Sequence, residues 1–153
     1  MIKGVCVGAG YFAQFHYEAW SRIPEVEIVA ACDLDKEKVS GVCKTFNIPR
    51  SYSDVERMLE AEKPDFIDII TPPQTHLAMV KAAAERGITV VCQKPLAPTY
   101  FEAQQIVETA EAAGIRFMVH ENFRFQPWHR EIKTLIDAGA IGDTLFSLNF
   151  RSR

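Results

Sequence analysis

The stretch Gly8-Ala9-Gly10-Tyr11-Phe12-Ala13 decides the fold of this chain. It has the pattern G-x-G-x-x-A and directly follows the apolar run Ile2–Val7. In such a turn the first glycine allows a tight bend, the second lets a pyrophosphate approach the backbone, and the small last residue lets helix and strand pack closely. The N-terminus of the following helix stabilises phosphate charge. The stretch therefore predicts a strand–turn–helix unit that binds a dinucleotide, although the pattern by itself also fits an ordinary structural turn.

An acidic residue follows the second predicted strand. Asp33 comes directly after Val26–Cys32, about twenty residues beyond the turn, where a carboxylate accepts hydrogen bonds from the ribose hydroxyls of a dinucleotide. Its charge would repel the 2′-phosphate of NADP, and no arginine follows immediately, although Lys36 lies close in sequence. We therefore expect NAD rather than NADP. The alternative is that Asp33 only starts a helix, together with Asp35.

Short apolar runs alternate with stretches of helical period along most of the chain. The predicted strands are Ile2–Val7, Val26–Cys32, Phe66–Ile70, Ile88–Cys92 and Ile115–Val119. Their nearly continuous apolar character is typical of parallel strands that are buried on both faces. The alternation predicts an α/β fold, a Rossmann-type doubly wound parallel sheet.

Helix boundaries are also marked in the sequence. Asp35 is placed to start one helix, and Ser53 with Glu56 and Thr99 with Glu102 form capping boxes. Left-handed residues are expected after helices at Gly87, Gly114 and Gly139. Pro127 suits a first helical position and predicts a helix that continues through Trp128–Ala138.

The end of the sequence has a different pattern. Residues Thr144–Phe150 alternate, with Phe146, Leu148 and Phe150 on one face, as in a strand of an antiparallel or mixed sheet. We expect residues 1–121 to form a nucleotide-binding domain and residues 122–153 to form a linker helix and the first strand of a truncated second α/β domain. The uncovered apolar face would invite pairing with another copy, so a homo-oligomer is expected.

Composition excludes several classes of partner. The chain has 153 residues and a formal net charge of −3, without the basic stripe of a nucleic-acid-binding protein. It has no apolar run of the ~20 residues that a membrane span needs, and glycines interrupt its N-terminal apolar run. The four cysteines form no C-x-x-C pair, so we expect no metal site or disulfide framework, and a cytoplasmic location.

Two further loops follow predicted strands and should line the crevice at their carboxyl ends. In Thr71-Pro72-Pro73-Gln74-Thr75-His76, the histidine should lie in the first helical turn, facing a cofactor or solvent. In Gln93-Lys94-Pro95, the lysine should be partly desolvated between the strand and Pro95-Leu96. Lys94 could transfer a proton, hydrogen-bond a substrate hydroxyl and the nicotinamide ribose, or simply be a solvated surface lysine.

These loops, in this order, resemble the glucose–fructose oxidoreductase, inositol dehydrogenase and rhizopine-catabolism (Gfo/Idh/MocA) family. The matching positions are Gly8–Ala13, Asp33, Thr71–His76, Gln93–Leu96, Asn122–Phe125 with Pro127, and Gly139–Gly142. The resemblance implies hydride transfer between a nicotinamide cofactor and a sugar, cyclitol or related polyol. It makes Lys94 the catalytic residue, in contact with substrate and nicotinamide, and places Asn122 and Arg124 on the substrate side.

The resemblance also implies a set of cofactor-binding residues, and this chain differs from the usual family pattern in two ways. The set is Gly8, Gly10, Tyr11, Phe12, Ala13, Asp33, Thr71, Pro72, Pro73, His76, Gln93 and Lys94. The family usually has glutamate where this chain has Gln93, which keeps an acceptor but loses the charge. Family members are also longer, so we expect this chain alone to bind cofactor without efficient turnover. The alternatives are a non-catalytic NAD(H) sensor and a dehydratase or epimerase that uses bound NAD transiently.

Overall fold

The structure is a computed structural model that describes residues 1–140 and residue 142. It divides into two compact units, Met1–His120 and a second unit that begins at Glu121. The predicted strand Thr144–Phe150, with its apolar face, lies outside the described residues. Within the described part of the chain, no helix has the length and apolar character needed to cross a bilayer.

The first unit alternates strands and helices. In chain order they are β1 (Ile2–Val7), α1 (Ala13–Ser21), β2 (Val26–Cys32), α2 (Lys36–Phe46), β3 (Arg50–Tyr52), α3 (Val55–Glu62), β4 (Phe66–Ile69), α4 (His76–Ala84), β5 (Thr89–Gln93), α5 (Tyr100–Ala112) and β6 (Phe117–His120). A 3-10 turn, Pro73–Thr75, precedes α4. The second unit contains a 3-10 turn, Phe123–Phe125, and the helix α6 (Pro127–Asp137).

The six strands form one parallel sheet in the order β3-β2-β1-β4-β5-β6. This is the strand order of the dinucleotide-binding fold, so the predicted Rossmann-type sheet is confirmed. The connections run in opposite directions on the two sides of the β1–β4 pair. The loops that leave β1 and β4 therefore separate at their carboxyl ends and open a crevice, where ligands of such sheets bind.

Both faces of the sheet are covered, which explains the continuous apolar runs. Alternate residues of β1 go to different cores: Val5 and Val7 belong to one buried cluster, and Cys6 belongs to the other. The second cluster also contains Tyr17 of α1 and Val39 of α2. All four residues of β4 are buried. The central strands thus carry the turn at Gly8–Ala13 on a rigid base.

Most predicted helix boundaries are confirmed, with one correction. Asp35 caps α2, Thr99 caps α5 through the Glu102 backbone N–H (3.2 Å), and Pro127 begins α6. The predicted left-handed glycines have φ of 67°, 63° and 68°. The Ser53 capping box is wrong, because Asp54 is the N-cap and its carboxylate accepts the Arg57 backbone N–H (3.1 Å). A carboxylate caps a helix as well as a serine hydroxyl does.

The sequence analysis did not predict one strand of the sheet, β3. β3 is a three-residue strand at the edge of the sheet, paired only with β2. It has no apolar run, although the Tyr52 ring packs against the first core cluster. The Arg50 Nε–H and the Tyr52 hydroxyl both donate to Oε1 of Glu62. Glu62 is 7% exposed. Burial alone would raise the pKa of its carboxyl, but the hydrogen bonds from Arg50 and Tyr52 outweigh burial and lower that pKa.

Candidate functional site

The first glycine of the turn is required by the fold itself. Gly8 follows β1 with φ of 113°, a conformation that side chains rarely adopt. A Cβ built on Gly8 would lie 2.5 Å from the carbonyl oxygen of Ile70, at the end of the neighbouring strand. The Gly8 carbonyl also accepts a hydrogen bond from the buried Tyr17 hydroxyl (3.0 Å). Glycine at this position is therefore explained without a ligand.

The second glycine is not explained in that way. Gly10 does not have a positive φ, and a Cβ built on it would meet no described heavy atom within 4 Å. Neither backbone conformation nor packing among the described residues requires glycine here. The space over its backbone fits a group that must approach closely, as a pyrophosphate does in this fold. Ala13, the third small residue, is 1% exposed and packs α1 onto the sheet.

The side chains between these positions point outward. Tyr11 is 82% exposed and Phe12 is 44% exposed, and both stand against Phe15 one turn further along α1. They form an aromatic surface next to the open backbone of Gly10. This surface is free to contact a ligand without any rearrangement of the core.

Asp33 is positioned beside the turn by two hydrogen bonds. Its Oδ2 accepts the Ala9 backbone N–H (2.6 Å), and its Oδ1 accepts the Asp35 backbone N–H (2.9 Å). The carboxylate therefore joins the carboxyl end of β2 to the turn after β1. The alternative that Asp33 starts a helix is wrong, since Asp35 caps α2 and its Oδ1 accepts the N–H groups of Glu37 and Lys38 (3.1 Å each). The bond from the Lys38 backbone lowers the pKa of Asp35.

One exposed apolar residue at this edge was missed by the sequence analysis. Leu34 directly follows Asp33 and is 90% exposed. A single exposed leucine is common on protein surfaces. Its place beside the Asp33 carboxylate makes it an apolar surface on which a planar base could lie.

His76 corrects a prediction. It was expected to face a cofactor or solvent, but the structure buries it completely. Its Nδ1 lies 2.9 Å from the Leu96 carbonyl oxygen, and its Nε2 lies 2.8 Å from the Thr71 carbonyl oxygen. The ring thus joins the loop after β4 to the loop after β5. No local pattern in the sequence indicates that the second loop covers the start of α4.

The loop after β4 is further held by its own hydroxyls. The side-chain oxygens of Thr71 and Thr75 lie 2.7 Å apart, and the Thr75 hydroxyl donates to the Pro72 carbonyl (2.8 Å). Pro73 begins the 3-10 turn that leads into α4. This leaves a short, rigid segment, with Thr71, Pro72 and Pro73 at the carboxyl end of β4.

The loop after β5 carries Lys94, whose side chain is exposed. The partial desolvation expected from Pro95-Leu96 is therefore not provided by the described residues, and that expectation is corrected. The Lys94–Pro95 peptide bond is cis. Lys94 lies at the carboxyl edge of the sheet, as do the Gly8–Ala13 turn and Asp33, because all parallel strands end at that edge.

Gln93, expected to contact cofactor, is instead 7% exposed and bonded within the protein. Its Oε1 accepts the Lys94 backbone N–H (2.8 Å), and its Nε2 lies 2.8 Å from Nε2 of His16. His16 Nδ1 lies 2.8 Å from Oδ2 of Asp68, which also accepts the Trp20 indole N–H (2.6 Å). Sequence analysis missed this network, whose available signal was Asp68, a lone charge inside an apolar strand.

The remaining predicted site residues lie in the second unit. Asn122 precedes the 3-10 turn Phe123–Phe125, and Arg124 is its central residue. Their expected place on the substrate side stays a prediction. Among the residues that the structure describes, no group of three His, Cys, Asp or Glu side chains could hold a metal ion.

The four cysteines are free thiols. Burial raises the pKa of Cys32 to about 12 and, with a smaller contribution from Asp68, that of Cys92 to about 12. Thiols of this kind are poor nucleophiles at neutral pH, because the thiolate is the reactive form. Cys32 and Cys92 are core residues rather than candidates for covalent chemistry.

The fold and the turn define a nucleotide-binding domain, and comparison with known proteins gives its family. Residues 2–121 match the Gfo/Idh/MocA profile, an oxidoreductase family with an NAD-binding Rossmann fold. The chain belongs to this family, as the motifs predicted, and it is a nicotinamide-cofactor-binding domain of that type.

Three relatives illustrate the likeness. D-apiose dehydrogenase from Paraburkholderia graminis is 42% identical over 151 residues, which are 98% of this chain and 40% of that protein. Inositol 2-dehydrogenase 4 from Saccharopolyspora erythraea is 35% identical over 142 residues, or 91% of this chain and 42% of that protein. A crystal structure of an oxidoreductase from Agrobacterium radiobacter, in complex with NAD+, L-tartaric acid and magnesium, superposes with a TM-score of 0.89 at 38% identity, over 92% of this chain and 41% of that one. The chain thus spans about 40% of the length of these relatives.

Proposed function

We propose that this chain binds NAD as the nucleotide-binding domain of a dehydrogenase that acts on a sugar, cyclitol or related polyol. The observation that carries the proposal is the open backbone at Gly10, beside a carboxylate that the fold fixes in place. Among the residues that the structure describes, neither backbone conformation nor packing requires glycine at Gly10, whereas both require it at Gly8. The substrate class is supported by the relatives named for D-apiose and for inositol.

The turn would bind the pyrophosphate. The absence of a side chain at Gly10 lets the phosphate oxygens reach backbone N–H groups, and the N-terminus of α1 adds a favourable field. The exposed rings of Tyr11 and Phe12 would cover one side of the ligand. Ala13 keeps α1 close to the sheet, so that these groups stay directed at the ligand.

Asp33 would select NAD over NADP. It would accept hydrogen bonds from the adenosine ribose hydroxyls, and its charge would repel a 2′-phosphate. Two backbone N–H groups hold the carboxylate, so it cannot easily turn away from that phosphate. The exposed side chain of Leu34 would provide an apolar surface for the adenine ring.

The nicotinamide half would lie along the loops after β4 and β5. Bound nicotinamide supplies the hydride-accepting C4 atom, and the protein supplies binding, orientation and proton transfer. Thr71, Pro72 and Pro73 would form a rigid wall, while Lys94 would bind the substrate hydroxyl and take its proton. Bound cofactor and substrate would order the Lys94 side chain and shield it from water.

We also propose that this chain is one part of a longer protein with a second domain. Residues 122–153 would lead into a second α/β domain, with Asn122 and Arg124 on the substrate side. The greater length of the relatives supports this division. We further propose a cytoplasmic homo-oligomer. Sedimentation of the full-length protein as a monomer would contradict its oligomeric part.

Calorimetric titration of this chain with NAD and NADP tests the binding proposal. We expect NAD to bind at least tenfold more tightly, a difference of about 1.4 kcal/mol. Failure of both cofactors to bind would overturn the proposal.

Turnover is tested on the full-length protein with a panel of polyols. Cofactor reduction by at least one polyol is expected. Cofactor binding without any reduction would indicate a sensor instead. NAD that stays bound through purification and is not consumed would indicate a dehydratase or epimerase.

A further inference from the structure

A buried row of polar side chains lies behind the loop that carries Lys94. Gln93 at the end of β5 is 7% exposed, His16 on α1 is 3% exposed, and Asp68 in β4 is fully buried. Burying polar groups costs free energy unless they are hydrogen-bonded to each other. The row consists of residues from β5, α1 and β4 and ends at the backbone of Lys94. Its hydrogen bonds therefore help to set the position of Lys94.

The direction of each hydrogen bond in this row follows from one fixed donor. The Lys94 backbone N–H can only donate, so the Gln93 atom 2.8 Å away must be the amide oxygen. The Gln93 amide nitrogen then faces Nε2 of His16 at 2.8 Å and, since an NH₂ group only donates, Nε2 must accept.

The directions of the remaining hydrogen bonds in the row follow from Nε2 of His16 being an acceptor. A neutral imidazole that accepts at Nε2 carries its proton on Nδ1, which donates to Asp68 at 2.8 Å. The Trp20 indole N–H donates to the same carboxylate oxygen (2.6 Å). The His120 ring meets His16 edge-on, with centroids 4.5 Å apart, and closes this side of the cluster.

We propose that Gln93 and His16 are positioning residues that tie the Lys94 backbone to the buried Asp68 and so fix Lys94 for proton transfer. The proposal rests on the proposed function, because the role of Lys94 does. The amide of Gln93 is needed because one end must accept from Lys94 while the other donates to His16. A glutamate of the same shape could accept from Lys94, but it would set a second carboxylate against the His16 lone pair.

This row also gives a reason for glutamine at a position where the family usually has glutamate. With Asp68 and neutral His16 already in place, the amide completes the row without an additional proton. With Gln93→Glu, the same geometry needs a proton on His16 Nε2, which would place the ring between two carboxylates.

The tautomer of His16 is the most direct test. In long-range ¹H–¹⁵N spectra of the ¹⁵N-labelled chain, without cofactor, His16 should be the Nδ1–H tautomer. The His16→Asn spectrum identifies its signals. An Nε2–H tautomer, or a doubly protonated ring in the unsubstituted chain, would overturn the proposal whatever the cofactor measurements show.

The positioning role is tested by kinetics on the full-length protein. Gln93→Leu, which has similar size but no polar atoms, should lower kcat for polyol oxidation by about tenfold to a hundredfold, because small displacements of a reacting group have effects of that size. The NAD dissociation constant of the variant should change less than about twofold, since Gln93 faces the protein interior. Unchanged kcat would overturn the positioning role.

Two controls keep these outcomes separate. If Gln93→Leu does not fold, His16→Asn serves instead, because it keeps a donor for Asp68 but cannot reach Gln93, and the same loss of kcat is expected. Failure of the unsubstituted chain to bind NAD would overturn the proposed function and the positioning role together. The tautomer measurement needs no cofactor and reports on the row alone.

Discussion

Gly8→Ala tests whether the fold itself requires the first glycine of the turn. The residue has φ of 113°, and holding alanine in such a region costs about 1–3 kcal/mol. The added Cβ would lie 2.5 Å from the Ile70 carbonyl oxygen, and overpacking of this kind costs about 1–3 kcal/mol more. Taking the middle of each range, we expect the free energy of unfolding to fall by about 4 kcal/mol.

Urea denaturation of the cofactor-free chain, followed by circular dichroism, measures this loss. Gly10→Ala is the matched control, because its Cβ would meet no described heavy atom within 4 Å. Its free energy of unfolding should change by less than about 0.5 kcal/mol. A loss below about 1 kcal/mol in Gly8→Ala would refute the reasoning that the close approach of β1 and β4 excludes a side chain there.

Three further substitutions or treatments test the roles of Asp33, His76 and the cysteines. Asp33→Ser should raise the NAD dissociation constant about tenfold and reduce the preference over NADP, since bonds to a charged group contribute about 1.5–3 kcal/mol; an unchanged ratio in calorimetry would count against Asp33 as the selector. His76→Ala should lower the free energy of unfolding by about 3 kcal/mol, because it removes a buried ring and leaves two carbonyls without it; urea denaturation within about 0.5 kcal/mol of the unsubstituted chain would contradict this. At about pH 8 a thiol reagent should modify the partly exposed Cys43 in the native chain and should reach the buried Cys6, Cys32 and Cys92 only on unfolding, the last two having a pKa of about 12. Rapid modification of more than one thiol in the native chain would disprove it.

The central strands could be predicted because their burial is written in their sequence. β1 and β2 have the predicted bounds, since the last four residues of each are buried and apolar, as in strands covered on both faces. β3 could not be found in this way. It pairs on one side only, and its polar residues Arg50 and Tyr52 are held by Glu62 from another element. Such a strand depends on contacts that no local pattern contains.

The turn and Asp33 were also predictable, because their function depends on local chain geometry. His76 was not, because its burial comes from a loop twenty residues away in sequence, whose Leu96 carbonyl lies 2.9 Å from the ring. The exposed side chain of Lys94 likewise departs from the expected desolvation. In both cases the sequence located the loop but not what lies over it.

The buried row behind Lys94 corresponds to a recognisable pattern in the sequence of this chain. Asp68 stands in the strand Phe66–Ile69 among apolar residues, and a buried carboxylate needs donors. His16 and Trp20 are four residues apart on α1 and therefore share one face of that helix. In this chain, the charge inside a central strand and the two donors at helical spacing are the sequence features that correspond to the row.

Calorimetric titration of NAD into Gly10→Ala tests the central claim, that the backbone at residue 10 is open because a pyrophosphate binds there. We predict that Gly10→Ala folds as the unsubstituted chain does but binds NAD at least about tenfold more weakly, a loss of about 1.4 kcal/mol. Equal NAD affinity in Gly10→Ala and the unsubstituted chain would contradict the claim.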